Sequence, residues 1–537
     1  MSLFRKKPLN QVLEDTLDPN AADGHVPDGH TQSGGLKRHL GATHLTALGI
    51  GAIIGAGIFS LTGTAAANYA GPGIVYSFVI AGVLCALAGL CYSELASMIP
   101  VAGSAYTYSY TTMGELIAWI IGWDLILEYT FGAVTVSIAW SGYLYSLIHN
   151  TLGVDLPMWM LRLTQGPWEQ VTLPDGTTAS GIWNLPATII AIVLSGVLYR
   201  GIRESAWVNN IIVVLKITIV VAFVVLGFGV IDSANLFVNP EAGGLGSLVP
   251  AATPATEHGL SFMRYGWGFL PPDRGVLTAA AVVFFAYIGF DAVSTTAQEA
   301  KNPGRDLPIG ILASLAICTI LYILVSLVLT GVVNYTELGV PDPIAVGIDK
   351  IVHLREWSPN ARFALAFSVK LGALAGLTSV MLVMMLAQAR IFYSMSRDGL
   401  LPWFSKTHPK FATPHLATIM TGVGVAFAGG LVPIRIVGEL VSIGTLLAFV
   451  LVCLGVPILR MTNPDAKRPF RVRGPWVVGL LGAAACLWVM SSLPLDTWLR
   501  LLVWLLLGFG IYFGYGRIHS KLRKTPAPVE PPAPRNF

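Results

Sequence analysis

Apolar residues recur along this chain in runs too long for the strands or amphipathic helices of a water-soluble domain. About twelve of them approach the ~20 residues that an α-helix needs to cross a ~30 Å hydrocarbon layer. They lie at 45–67, 74–96, 116–148, 182–198, 206–231, 276–297, 307–333, 363–387, 415–431, 434–459, 477–493 and 497–516. Polar residues collect between the runs rather than on one face of each, so the helices are apolar nearly all round. The pattern predicts an all-α polytopic membrane protein with about 12 transmembrane helices.

Composition agrees, because 54% of the 537 residues are hydrophobic and 12% are charged, against about 25% charged in soluble domains. The polar segment 1–44 has no apolar core followed by a small-residue cleavage site, so it does not read as a signal peptide. The first span then acts as the membrane address. Residues 525–537, TPAPVEPPAPRNF, cannot pack a core, and the tail 517–537 is expected to be disordered.

Orientation follows from lysine and arginine, which stay in cytoplasmic loops near span ends. With the N-terminus inside, the cytoplasmic segments hold Arg5, Lys6, Lys7, Lys37, Arg38, Arg200, Arg203, Lys301, Arg305, Arg390, Arg397, Lys406, Lys410, a cluster over 460–473 and the cations of 517–524. The outer loops retain chiefly Arg162, Arg264, Arg274, Lys350 and Arg355. This predicts a multi-pass protein of the cell (inner) membrane with both termini cytoplasmic. The net charge of +4 is thereby topogenic and gives little support to nucleic-acid binding. Cys85, Cys91, Cys318, Cys453 and Cys486 all fall within apolar runs without a CxxC pair, which argues against disulfide or zinc frameworks. The ten histidines lie in termini, loops or span ends and offer no midplane metal site.

Glycines punctuate the first and sixth runs at comparable depth: Gly49, Gly51, Gly55 and Gly57 in one, Gly289 in the other. Four runs lie between them, so the two stand five spans apart. That spacing is compatible with two inverted five-helix repeats, 45–231 and 276–460, joined by an outer loop at 232–275 and followed by two helices at 475–516. The outer segments 149–181 and 232–274 are rich in Gly, Pro and polar residues and have room for short surface helices or strands, and 98–114 on the inner side is rich in aromatic and hydroxyl groups.

In Gly49–Ser60, GIGAIIGAGIFS, two readings stand beside each other. Gly51 and Gly55 form a GxxxG pair suited to close helix packing. Alternatively the helix unwinds at 53–57, leaving the amides of Ala56, Gly57 and Ile58 as the open N-terminus of a half-helix, an end that attracts carboxylate. Carbonyls left at Ile53 and Ile54, with counterparts on the sixth span, would then accept from an ammonium. A zwitterion fits the two ends. A dinucleotide loop does not, since no strand precedes the glycines.

GAIIGAGIF at 51–59, GWDLILEY at 122–129, FFAYIGFDAVST at 284–295 and EAKNPGRDLPIGI at 299–311 together resemble the amino acid–polyamine–organocation transporters, and within them the cationic amino acid transporter type with its bacterial members. The resemblance runs from about Leu36 to Gly516. It implies the five-plus-five inverted-repeat fold with discontinuous first and sixth spans and two extra helices, and amino acid transport usually coupled to protons. Carried over by motif, Gly55, Ala56 and Gly57 would hold the substrate carboxylate, and Ile53, Phe285, Ala286 and Ile288 would meet its amino group through backbone carbonyls. Ala56 departs from many relatives, which have serine or threonine there, so only backbone contacts remain at that position.

Charges within apolar runs are the other candidates, because intramembrane ionisable residues are functional by default. Lys216 sits about two turns into its run, with snorkelling to the interface as the bland alternative. The resemblance assigns it the place where sodium-coupled relatives hold an ion, which implies no sodium dependence. The resemblance likewise marks Glu128 as a proton acceptor for coupling; burial of a carboxylate favours its protonated form. Asp124 lies one turn earlier on the same face. Asp291 is suited to hydrogen-bonding exposed backbone near Gly289. Glu94, Lys370 and Glu439 stand isolated in their runs, and Glu299, Lys301 and Arg305 form either a gate ion pair or an ordinary solvated loop.

The leading expectation is a proton-coupled amino acid symporter for cationic or small neutral amino acids, with no cofactor other than the coupling proton. An exchanger on the same fold, a non-transporting sensor and a channel remain as alternatives. Enzyme and pump readings lack support, since GxSxG, HExxH and GxxxxGK[ST] are all absent from the sequence.

Overall fold

A computed structural model describes residues 3–8, 40–99, 104–172, 176–201, 206–250, 274–295, 297, 300–355, 357–411 and 413–524. Of the tail 517–537 expected to be disordered, residues 517–524 are instead ordered, with helical turns at Arg517–His519 and Lys521–Lys524, because Ser520 and Arg523 donate to the buried Glu115. Residues 525–537, Glu299, Arg203, Arg264 and most of the segment 1–44 lie outside the described residues. Helix dominates the rest. Seven stretches are long and apolar enough to cross a membrane and four shorter helices are apolar, among the described residues.

The helices that matter here are α1 (Ala42–Ile53), α2 (Ile74–Met98), α3 (Ser104–Thr112), α4 (Glu115–Ser146), α5 (Leu185–Arg200), α6 (Ala206–Phe228), α7 (Arg274–Val283), α8 (Pro303–Val332), α9 (Pro343–Leu354), α10 (Pro359–Arg397), α11 (His415–Leu431), α12 (Ile434–Thr462), α13 (Pro475–Met490) and α14 (Leu495–Ile511). Most limits follow the apolar runs, but α1 and α7 stop inside theirs, α3 and α9 have no run of their own, and α10 continues ten residues past its run to Arg397. Of the segments with room for surface structure, 149–181 carries a helical turn at Met158–Leu161 and a two-stranded antiparallel hairpin, β1 (Gln170–Thr172) and β2 (Thr178–Ser180). The described part of 232–274 carries a turn at Ser233–Leu236.

In the interior, α8 packs along α2 and α1, while α10 and α12 pack along α4. The last helix is fastened to α4 by a reciprocal pair of indole bonds: Trp123 Nε1 donates to the Trp504 carbonyl at 2.8 Å and Trp504 Nε1 to the Trp123 carbonyl at 3.1 Å. Their rings stack at 4.6 Å, and Trp119 stacks on Trp123 at 5.9 Å.

Charges that look isolated in the sequence find partners far along it. Glu94 near the end of α2 accepts from Nε and Nη2 of Arg460, at 3.0 and 2.6 Å, 366 positions away. Lys370, buried on α10, lies 2.9 Å from both carboxylate oxygens of Asp349 on α9. Glu439 on α12 accepts from the Tyr69 hydroxyl at 2.6 Å and the Thr497 hydroxyl at 2.8 Å, with Arg500 at 3.5 Å. All three acquire the pairing that a buried charge needs to avoid its desolvation cost. Cys85, Cys91, Cys318, Cys453 and Cys486 are free thiols, all buried.

Glu439→Leu should remove the acceptor that the Tyr69 and Thr497 hydroxyls share, leave Arg500 only its Asp496 partner, and lower stability by about 3 kcal/mol. The thermal unfolding midpoint of the purified protein in detergent would check this, and an unchanged midpoint would remove the hub role.

Candidate functional site

Helix α1 stops within the apolar run that predicted it. Ile54 takes extended ψ (φ −71°, ψ 93°), and helical turns resume as a π-turn at Gly57–Leu61. A helix that ends leaves its last carbonyls without amide partners, and here other elements supply donors. Ile50 O accepts from its own chain's Ile54 amide at 2.9 Å. Gly51 O accepts from Lys216 Nζ on α6 at 2.7 Å. Ile53 O accepts from the Tyr322 hydroxyl on α8 at 2.8 Å.

The second interruption lies directly opposite. After α7, Phe284–Tyr287 tightens to a 3-10 turn, Ile288 is extended, and Gly289 has φ +116°. Glycine is required there on two counts: the backbone angle, and the Ala52 carbonyl carbon 2.7 Å from where a Cβ would sit. Asp291 returns to the same turn, accepting from the Gly289 amide at 3.2 Å and from the Tyr129 hydroxyl of α4 at 2.6 Å. This is the backbone-bonding role expected of Asp291. The same Tyr322 hydroxyl that reaches Ile53 O lies 2.9 Å from Ala286 O. One phenol thus bridges the two interrupted segments.

Glycine at position 57 makes the approach possible, since a Cβ there would fall 2.2 Å from Ala286 Cα. Gly49, still within α1, lies against Ser314 of α8 and Gly57 against Ala286, and the helix is left between them at Ile54 and Gly55. Beyond the break, Phe59 is the first residue whose amide returns to a preceding carbonyl, Gly55 O at 3.1 Å. By helix geometry the amides of Ala56, Gly57 and Ile58 precede the first complete turn.

Of the carbonyls expected to meet an amino group, Ile53 O and Ala286 O share the single hydroxyl proton of Tyr322, and Phe285 O accepts from the Ile288 amide at 3.1 Å. Each carbonyl keeps a second lone pair. Gly55, Ala56, Gly57, Ile53, Phe285, Ala286 and Ile288 are all buried. The side chain against Gly55 at the first break is apolar: Val380 of α10 is 3.0 Å from where a Cβ on that glycine would sit.

Lys216 is fully buried, so its ammonium does not snorkel outward; its stem packs on Gly376. Glu128 is buried on α4 with Asp291, Asp124 and Thr445 as polar neighbours. Asp124 sits against Gly444 of α12, and neither carboxylate oxygen has a hydrogen-bond partner among the described residues. Lys301 and Arg305 are exposed, as an ordinary solvated loop would have them. Sequence reasoning missed Tyr322, whose only local signal is a phenol in an apolar run, where a hydroxyl calls for a partner.

The amino acid permease family model matches residues 40–510. The chain belongs to that family, within the amino acid–polyamine–organocation superfamily. It is 44% identical over 524 residues to the branched-chain amino acid permease BcaP of Bacillus subtilis, covering 97% of this chain and 99% of the relative. It is 41% identical to the methylthioribose transporter of the same species, covering 97% and 100%. A plant relative, the vacuolar cationic amino acid transporter 4 of Arabidopsis thaliana, is 37% identical over 80% of this chain and 64% of its own length. These relatives are named as transporters or permeases, not enzymes.

In this permease-family chain, Tyr322→Phe should unbind the two carbonyls and destabilise the fold by about 1–3 kcal/mol. Thermal unfolding in detergent tests it: an undisturbed midpoint would mean the phenol does not hold the segments together.

Proposed function

We propose that this chain is a proton-coupled amino acid symporter working by alternating access, with the substrate held between the two interrupted segments. The observation that carries the reading is the Tyr322 bridge, which sets half-helix amides at Gly55–Gly57 beside carbonyls at Ile53 and Ala286. Those ends complement a carboxylate and an ammonium. In this reading the chain has about 12 spans in a five-plus-five inverted repeat with two additional helices, its first and sixth spans are discontinuous, and both termini face the cytoplasm from the cell membrane.

Cationic and small neutral amino acids are the two substrate classes at issue. The apolar Val380 beside Gly55 supports a neutral side chain, since a cationic one would need an acidic or carbonyl-rich partner there. The name of the 44% identical relative, a branched-chain amino acid permease, points the same way.

Glu128 is proposed as the proton acceptor. It shares its surroundings with Asp291, which is bonded into the second break, so a proton gained or lost at Glu128 acts on that turn directly. Lys216 ties α6 to the end of α1 through Gly51 O. With its Nζ donating at the end of α1, a polar side chain already occupies that place, which supports coupling without sodium.

Uptake into substrate-free liposomes driven only by an inward proton gradient should accumulate labelled valine or leucine above equilibrium. Uptake appearing only with amino acid preloaded inside would favour an exchanger on the same fold, and binding without uptake a sensor. Lys216→Met should reduce transport at least tenfold with normal membrane insertion; wild-type rates would remove its role.

A further inference from the structure

The connection between α12 and α13, residues 463–474, is unusual among the loops in how firmly a buried acid holds it. Glu94 Oε2 accepts from the Val472 amide at 2.8 Å as well as from Arg460, and Arg468 Nε stands 3.6 Å from Glu94 Oε1. Arg460 Nη2 also donates to the Val472 carbonyl at 2.9 Å. Ser97 accepts from the Phe470 amide at 3.3 Å, and Pro469 packs on Gly304 in the first turn of α8. Arg468 folds back on the carbonyls of Asn463, Pro464 and Ala466. The backbone is thus fixed on both sides of its remaining cations.

Lys467, Arg471 and Arg473 are exposed on this fixed loop, with Asp465 the acid among them. The loop leads directly into α13, whose first turns expose Trp476, Val477, Leu480 and Leu481. An indole and aliphatic side chains in that position suit the boundary between headgroups and acyl chains. Cations beside it, on the side proposed above to be cytoplasmic, lie at the depth of lipid phosphates.

We propose that Lys467, Arg471 and Arg473 form a preorganised site for the headgroup of an anionic phospholipid whose chains lie along α13. Since the loop touches α2 through Glu94 and Ser97 and α8 through Pro469, an occupied site biases the relative positions of those helices, and lipid charge becomes a regulator of transport. The regulatory step rests on the transporter reading; the site itself does not.

The test therefore reads lipid rather than transport. In native mass spectrometry of the purified full-length protein, phosphatidylglycerol should be retained in preference to phosphatidylcholine. Each surface cation contributes about a fivefold factor near anionic lipid, so Lys467→Gln/Arg471→Gln/Arg473→Gln should weaken phosphatidylglycerol retention about 100-fold, with an unaltered unfolding midpoint. Equal retention by the variant would overturn the site. Displacement of the lipid by inorganic phosphate would overturn the lipid as its occupant. Retention with no transport in any lipid would leave the site standing and remove the transporter reading alone.

Discussion

A backbone that leaves its helix inside an apolar layer has no water to satisfy its amides and carbonyls, and each unpaired group there costs several kcal/mol. The interruptions after Ile53 and around Gly289 persist because side chains from three other helices take over that duty. Lys216 of α6, Tyr322 of α8 and Tyr129 of α4, the last through Asp291, each commit a polar group to the breaks. The breaks in turn fix what those helices carry at that level, and a mutation in any of the three reaches the same few backbone atoms.

The buried charges away from the breaks follow the same logic by ion pairing. Glu94 with Arg460 joins α2 to α12, Lys370 with Asp349 joins α10 to α9, and Glu439 joins α12 to Tyr69 and to Thr497 on α14. Such pairs are poor contributors to net stability when compared with apolar packing, yet costly to break singly. They specify which helix neighbours which, an assignment that uniformly apolar surfaces leave open.

What the sequence revealed depended on whether a feature was local. The glycines at 49–57, and Gly289 with Asp291 two residues on, carry their geometry within one turn and could be read directly. Apolar run length located the helices because membrane thickness sets it. Tyr322 could not be read, since its two acceptors lie 269 and 36 positions away and nothing in LYILVSLVL records them. Glu94, Lys370 and Glu439 were visible as charges, whereas their partners were not, because pairing is decided by the packing of distant helices. Asp124, conspicuous in the sequence, is buried against Gly444 of α12, a neighbour that only the packing of distant helices supplies.

The stack of Trp119, Trp123 and Trp504 has an optical consequence. Indoles whose centroids lie 4.6 and 5.9 Å apart share excitation, so the triad behaves as one chromophore whose circular dichroism and emission depend on α14 staying seated on α4. Any motion that lifts the last helix from its groove would be written into the near-ultraviolet spectrum of the unlabelled protein, giving the chain a reporter of its own helix docking.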